Sequence, residues 1–149
     1  MHPLLKEISE MSKASLEDSL TKILAAFDCP TGTVHVLGEA NVLELKAQQG
    51  LPPVVAEKVQ QVPVGKGMAG LAAERLEPVQ VCNLQTDDSG VVRPGAKKTG
   101  MAGAIAVPML VNGELKGVLG LAKPVAYEFT EEEKVDLLQI ASAIGASLR

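Results

Sequence analysis

Few side chains in this sequence have the types and spacing that chemistry requires. Gly65-Lys66-Gly67-Met68-Ala69-Gly70 has the Gly-x-Gly-x-x-Gly spacing of a dinucleotide-binding turn, in which bare backbone approaches a pyrophosphate, and Asp87 follows near where a ribose-binding acid would stand. Such a turn needs a buried strand before it and a parallel strand after it. Here Gln60, Gln61 and Pro63 precede it and an antiparallel hairpin follows, so the glycines read as a tight strand-to-helix entry. His35 stands on an expected strand with no carboxylate beside it and reads as a packed or surface histidine. Asp87 and Asp88 precede Ser89-Gly90 and read as turn residues rather than an acid–base pair. Arg93, Lys97, Lys98 and Thr99 are donors of the kind that an anionic ligand would need. Cys82, at the end of an expected strand, reads as a small buried hydrophobe, with a redox role as the competing reading.

The whole chain constrains these readings further. Its 149 residues carry 14 Lys+Arg against 18 Asp+Glu, a formal net charge of −4. That balance gives no electrostatic footprint for nucleic acid or an anionic membrane surface. Cys29 and Cys82 are far apart and lack any Cys-x-x-Cys companion, so neither a disulfide framework nor a zinc site is readable, and a reducing cytoplasm is the expected location. His2 and His35 form no metal cluster, and no resident cofactor is expected. No apolar stretch approaches the roughly 20 residues of a membrane span, and the N-terminus lacks the basic-then-apolar order of a signal peptide. With 46% hydrophobic residues the chain is expected to fold as a single domain over residues 1–149, with a helical extension over 1–14 and a core over 15–149. One Tyr, two Phe and no Trp leave Ala, Val, Leu and Gly to build that core.

The elements that must position these residues follow from periodicity. Apolar residues at three- and four-residue steps over 4–27 predict one or two amphipathic helices, with a capping box at Ser15 to Asp18. Residues around Val34 and Val36, and then 42–47, predict a hairpin. A short helix ending at Lys58, an extended edge piece over 60–64, a helix over 67–76 and a strand over 79–82 follow. Residues 83–100 have no periodic pattern, and loops this long are usually functional. Asn112-Gly113 between 101–111 and 114–122 is the strongest hairpin signal, because a type I′ turn needs positive φ at both central positions. Its register pairs Val107 with Val118 and Ile105 with Gly120, which sets Ile105, Val107, Met109 and Val118 on one face and Ala104, Ala106, Leu119 and Leu121 on the other. Both faces are apolar, so the sheet is expected to be covered on both sides. A last helix, opened by Thr130-Glu131-Glu132-Glu133, covers one side together with the N-terminal helix. Residues 50–100 must supply the other cover.

In this order, Val62 to Gly70, Glu77 to Val81, Gly103 to Met109, Leu115 to Leu121 and Phe129 to Glu133 resemble a GAF domain over about nine tenths of the chain. The resemblance implies an α+β fold: a central antiparallel sheet of about five to six strands, terminal helices packed on one face, and loop and short helices covering a small-molecule pocket on the other. Lys123, Phe129 and Glu133 fit a pattern of the cyclic-nucleotide members, but Ala122 and Lys134 depart from it and argue against that ligand. The free methionine sulfoxide reductases of this fold use cysteines around the loop after the third strand, and residues 83–100 contain none. The expectation is therefore a non-catalytic sensory or regulatory module that binds an unidentified small molecule and dimerises through its terminal helices. It would signal to a downstream protein or domain. Met68, Cys82, Asp87, Arg93, Lys97, Lys98, Thr99, Ile105, Val107 and Met109 are the expected ligand contacts. The alternatives are a thiol-dependent free methionine sulfoxide reductase using Cys82 and a ligand-free dimerisation module.

Overall fold

The computed structural model describes residues 16–86 and 100–148. Six strands form one antiparallel sheet: β1 (Thr31–Leu37), β2 (Val42–Gln49), β3 (Gln61–Pro63), β4 (Val79–Val81), β5 (Ala104–Val111) and β6 (Glu114–Ala122). Their order is β3-β2-β1-β6-β5-β4, which places the first and last strands side by side at the centre. Four helices accompany them: α1 (Leu16–Ala26), α2 (Pro53–Lys58), α3 (Gly67–Arg75) and α4 (Glu131–Ser147). The fold is α+β, as expected. The expected extension over 1–14 lies outside the described residues.

The Asn112-Gly113 turn forms as its sequence requires, with φ of 53° and 80° at the two central residues. The register beyond it differs from the one expected. Val111 pairs with Glu114 and Leu110 with Leu115, but Met109 pairs with Gly117, so Lys116 is an extra residue on β6. One bulged residue turns every later side chain of that strand to the other face. Val107 therefore lies opposite Leu119 and Ile105 opposite Leu121, not opposite Val118 and Gly120. A second bulge, at Lys46, lets Val34 face Ala47 while His35 faces Leu45.

The bulges gather the bulky residues on one side. Val34, Ala47, Ile105, Val107, Met109, Leu119 and Leu121 join Leu20, Ile23 and Leu24 of α1 and Leu137, Ile140, Ala141 and Ile144 of α4 in one buried cluster. The last turn of α1 closes with a Schellman motif: Asp28 takes φ of 55°, Cys29 N donates to Leu24 O at 2.9 Å and Asp28 N to Ala25 O at 3.4 Å. At the start of α4, Thr130 and Glu133 form a reciprocal capping box, with Glu133 N donating to Thr130 Oγ1 at 3.1 Å and Thr130 N to Glu133 Oε1 at 2.9 Å.

The segment from Lys123 to Phe129 ties these helices to the sheet. Lys123 is only 8% exposed, and its ammonium donates to the carbonyl oxygens of Phe27, and of Asp28 at 3.2 Å, at the end of α1. The same ammonium lies 4.7 Å from the Tyr127 ring centroid, a cation–π distance. Tyr127 Oη donates to Glu133 Oε1 at 2.7 Å, and Phe129 N donates to Gln80 Oε1 at 2.9 Å. Burial would raise the Glu133 carboxyl, but its hydrogen bonds from Thr130 and Tyr127 outweigh that and hold it below the usual carboxylate range.

Candidate functional site

The side of the sheet away from α1 and α4 is built from smaller residues. Cross-strand pairing runs Thr33, Gly120, Ala106 and Val79 in one row, and Thr31, Ala122, Ala104 and Val81 in the next. A Cβ on Gly120 would lie 2.7 Å from Thr33 Oγ1, so this hydroxyl overhangs the glycine. Thr33, Gly120 and Ala122 are half-buried, whereas the bulky residues on the helix side are fully buried. The floor is thus low and incompletely covered. An alanine and glycine carpet of this kind leaves room for a guest where leucines would fill it.

Helix α3 forms one wall. Met68 packs against a cluster of Leu43, Val62, Ala72, Ala73, Val79, Ala106 and Val118, and also against a smaller one of Val81, Leu84 and Ala104, where Met101 and Ala122 join it. The helix is set there by its glycines. Gly65 and Gly67 take φ of 96° and 66°, and Gly65 N donates to Gly70 O at 2.8 Å. A Cβ on Gly70 would lie 2.5 Å from Pro63 O. The Gly-x-Gly-x-x-Gly segment therefore folds against its own backbone, after a three-residue edge strand, as a tight entry into α3. Leu84 N donates to Ala102 O at 2.7 Å, which joins the chain before residue 87 to the chain after residue 99.

The structure divides the expected contacts. Met68 lies at the small-residue floor. Ile105, Val107 and Met109 do not: they face α1 and α4 in the helix-side core, because odd positions of β5 point there and α4 packs over them. Cys82 is exposed rather than a buried hydrophobe, and its carbonyl accepts from Tyr127 N at 3.0 Å. Asp87, Arg93, Lys97, Lys98 and Thr99 lie outside the described residues. Thr33, Gly120, Ala122, Leu84 and Met101 were not among the expected contacts. Their signal was the run of small residues on β5 and β6, hidden by the bulge.

His35 is packed. It is 3% exposed, and its Nε2 donates to Val59 O, at the end of α2, at 2.9 Å. The other cysteine, Cys29, is buried on the helix side, where burial pushes its thiol up to about 11. No group of three or more metal-ligating side chains occurs among the described residues, and none of their helices is long and apolar enough to cross a membrane.

This six-stranded sheet, with α1 and α4 on one side and short helices on the other, is matched by a family model described as GAF domain over residues 9–149. The chain belongs to the GAF domain family. Solved structures agree with the architecture. The GAF domain of an Acinetobacter phosphoenolpyruvate-protein phosphotransferase is 22% identical, covering 99% of this chain and 93% of its own, with a TM-score of 0.77. A free methionine-R-sulfoxide reductase from Neisseria meningitidis, solved with its substrate, is 18% identical over 97% of this chain and 85% of its own, with a TM-score of 0.78. A GAF sensor protein from Burkholderia vietnamiensis, so named as putative, is 18% identical over 95% and 88%, with a TM-score of 0.75. At these identities the likeness of this GAF domain to each neighbour is one of fold. No curated protein matches the chain.

Proposed function

We propose that this GAF domain is a non-catalytic sensory or regulatory module of the cytoplasm that binds a small molecule on the Thr33, Ala104, Ala106, Gly120 and Ala122 floor. The observation that supports it is that floor: half-buried Thr33, Gly120 and Ala122 beside buried Ala104 and Ala106, small residues on a face otherwise closed by Met68 and α3. In this proposal Asp87, Arg93, Lys97, Lys98 and Thr99 supply the polar side of the site. The terminal helices carry the output by dimerisation and by contact with a downstream protein or domain. Val135, 52% exposed on α4 and one turn from the half-buried Leu138, is apolar surface suited to a second copy.

Native mass spectrometry of freshly purified protein tests this reading against a ligand-free module. A bound small molecule is expected in the wild type and absent in Ala122→Leu, whose larger side chain fills the floor, with the far-ultraviolet circular dichroism of both unchanged. Bare protein in both would reject the ligand-binding reading.

A reductase is the second reading, favoured by structural neighbours named as free methionine-R-sulfoxide reductases. Two features oppose it in this chain. Cys29 is buried on the far side of the sheet as a thiol with a raised pKa, and Cys82 is exposed with no second cysteine to resolve it. Assay of free methionine-R-sulfoxide with a dithiol reductant is expected to give the same background rate for wild type and Cys82→Ser. A rate that falls to background only in the variant would establish the enzyme.

A further inference from the structure

His35 has a feature that ligand binding does not use. A carbonyl oxygen only accepts, so the 2.9 Å contact with Val59 O fixes the proton on Nε2 and leaves the lone pair on Nδ1. Nδ1 is buried and has no hydrogen-bond partner among the described residues. The neutral ring tolerates this at modest cost, because an unused lone pair is cheaper to bury than a charge. The protonated ring does not: it would bury a second N–H without an acceptor and a positive charge without a counter-ion. The ionisable side chains on the surrounding elements are Glu44 and Lys46 of β2, Glu57 and Lys58 of α2, Glu74 and Arg75 of α3 with Lys66 before it, and Glu114 and Lys116 of β6. None of them hydrogen-bonds the ring. Glu44 pairs with Lys46 at 3.7 Å and Glu114 with Lys116 at 3.6 Å.

The bond also ties the end of α2 to β1, next to the contacts that the buried Val55 makes. Helix α2 has only six residues, too few to be stable alone; Val59 N donates to Val55 O and Gln60 Nε2 to Ala56 O, and His35 holds the carbonyl of Val59, the residue that follows the helix. Val59 in turn packs against the cluster of Leu43, Val62 and Val118 on the face opposite the terminal helices.

We propose that His35 is a proton-operated latch: neutral, it holds α2 against the centre of the sheet, and protonated, it releases α2 and uncovers that face. Burial holds the His35 pKa below its ordinary 6.5, opposed by the Val59 carbonyl. The released chain takes up the proton first, so the latch is strongest above about 6.5 and weakens as pH falls from there toward the lowered folded-state value. The latch does not rest on the ligand-binding reading, and its test uses protein without added ligand.

Hydrogen exchange of the full chain at pH about 7.5 and about 5, corrected for intrinsic rates, measures the opening. Protection of the Ala56 and Val59 amides is expected to fall about tenfold on acidification, while Val107 and Leu119 amides in the central strands hold. His35→Gln, whose amide can still donate to Val59 O but does not titrate, is expected to show no such fall. Loss of protection in α2 and the central strands together, or an unchanged pH response in His35→Gln, overturns the latch. Should that variant not fold, the imidazole signals of the wild type decide. The proposal requires the Nε2–H tautomer at neutral pH and a His35 titration midpoint that coincides with α2 opening, and fails if either is absent.

Discussion

Replacing Gly117 with alanine is expected to cost about 3 kcal/mol of folding stability. The residue follows the Lys116 bulge, and its Cα faces the neighbouring strand so closely that a Cβ would sit against the His35 carbonyl oxygen, far inside van der Waals contact, with the Met109 Cε also at 3.1 Å. The obstacle in front is backbone, which cannot swing aside as a side-chain end can. Gly117 does not have positive φ, so the cost is one of space and not of conformation. Gly113 supplies the contrast: φ is 80°, nothing lies within 4 Å of its missing Cβ, and alanine there should cost only about 1 kcal/mol. Urea midpoints for the two variants measure the difference. Equal losses would mean that the bulge can open to admit a methyl group.

Lys123→Met is expected to cost a similar amount, about 3 kcal/mol, or roughly 10 °C in Tm for a domain of this size. Burying an ammonium is unfavourable in itself, and a methionine would relieve that. The loss comes from the acceptors. The carbonyls of Phe27 and Asp28 end α1, where the helix dipole places negative charge, and Lys123 donates to both. Methionine keeps an unbranched apolar stem but loses the charge over the Tyr127 and Phe129 rings and cannot donate. Lys123→Arg keeps the charge and adds a planar fork that the enclosed site was not shaped for, so an intermediate loss is expected. Thermal unfolding followed by circular dichroism checks both. A Lys123→Met protein as stable as the wild type would show that water replaces the ammonium at α1 without cost.

Much of this fold can be read from the residues. Asn112-Gly113 demands its turn, Thr130 and Glu133 demand their cap, and two apolar faces on one hairpin demand two covers. The part that could not be read is the pair of bulges. Lys46 and Lys116 are ordinary lysines in strand-like text, and nothing in the local pattern says that one residue there will be left unpaired. The packing decides it: without the extra residue at Lys116, Leu119 and Leu121 would turn away from α1 and α4, and the helix-side core would lose two of its largest side chains. The expected ligand contacts inherited that error: Ile105, Val107 and Met109 stand in the helix-side core with α1 and α4, and not with Met68 on the small-residue face. Lys123 shows a different limit. A lysine after a strand carries no sign that it will reach the end of a helix most of the chain away, because only the folded topology brings the two together.

The strand order has a consequence for how the protein comes to exist. β3, β2 and β1 form one three-stranded sheet from the first half of the chain, β6, β5 and β4 form another from the second, and the β1–β6 ladder from Thr31–Ala122 to Val36–Gly117 is the seam. On the ribosome the first half must wait, with that edge of β1 unpaired, until the last strand has emerged. Closing that seam sets a high contact order and makes it the natural slow step of folding. The same seam is where two chains could trade halves, each lending its β6 to the other's β1.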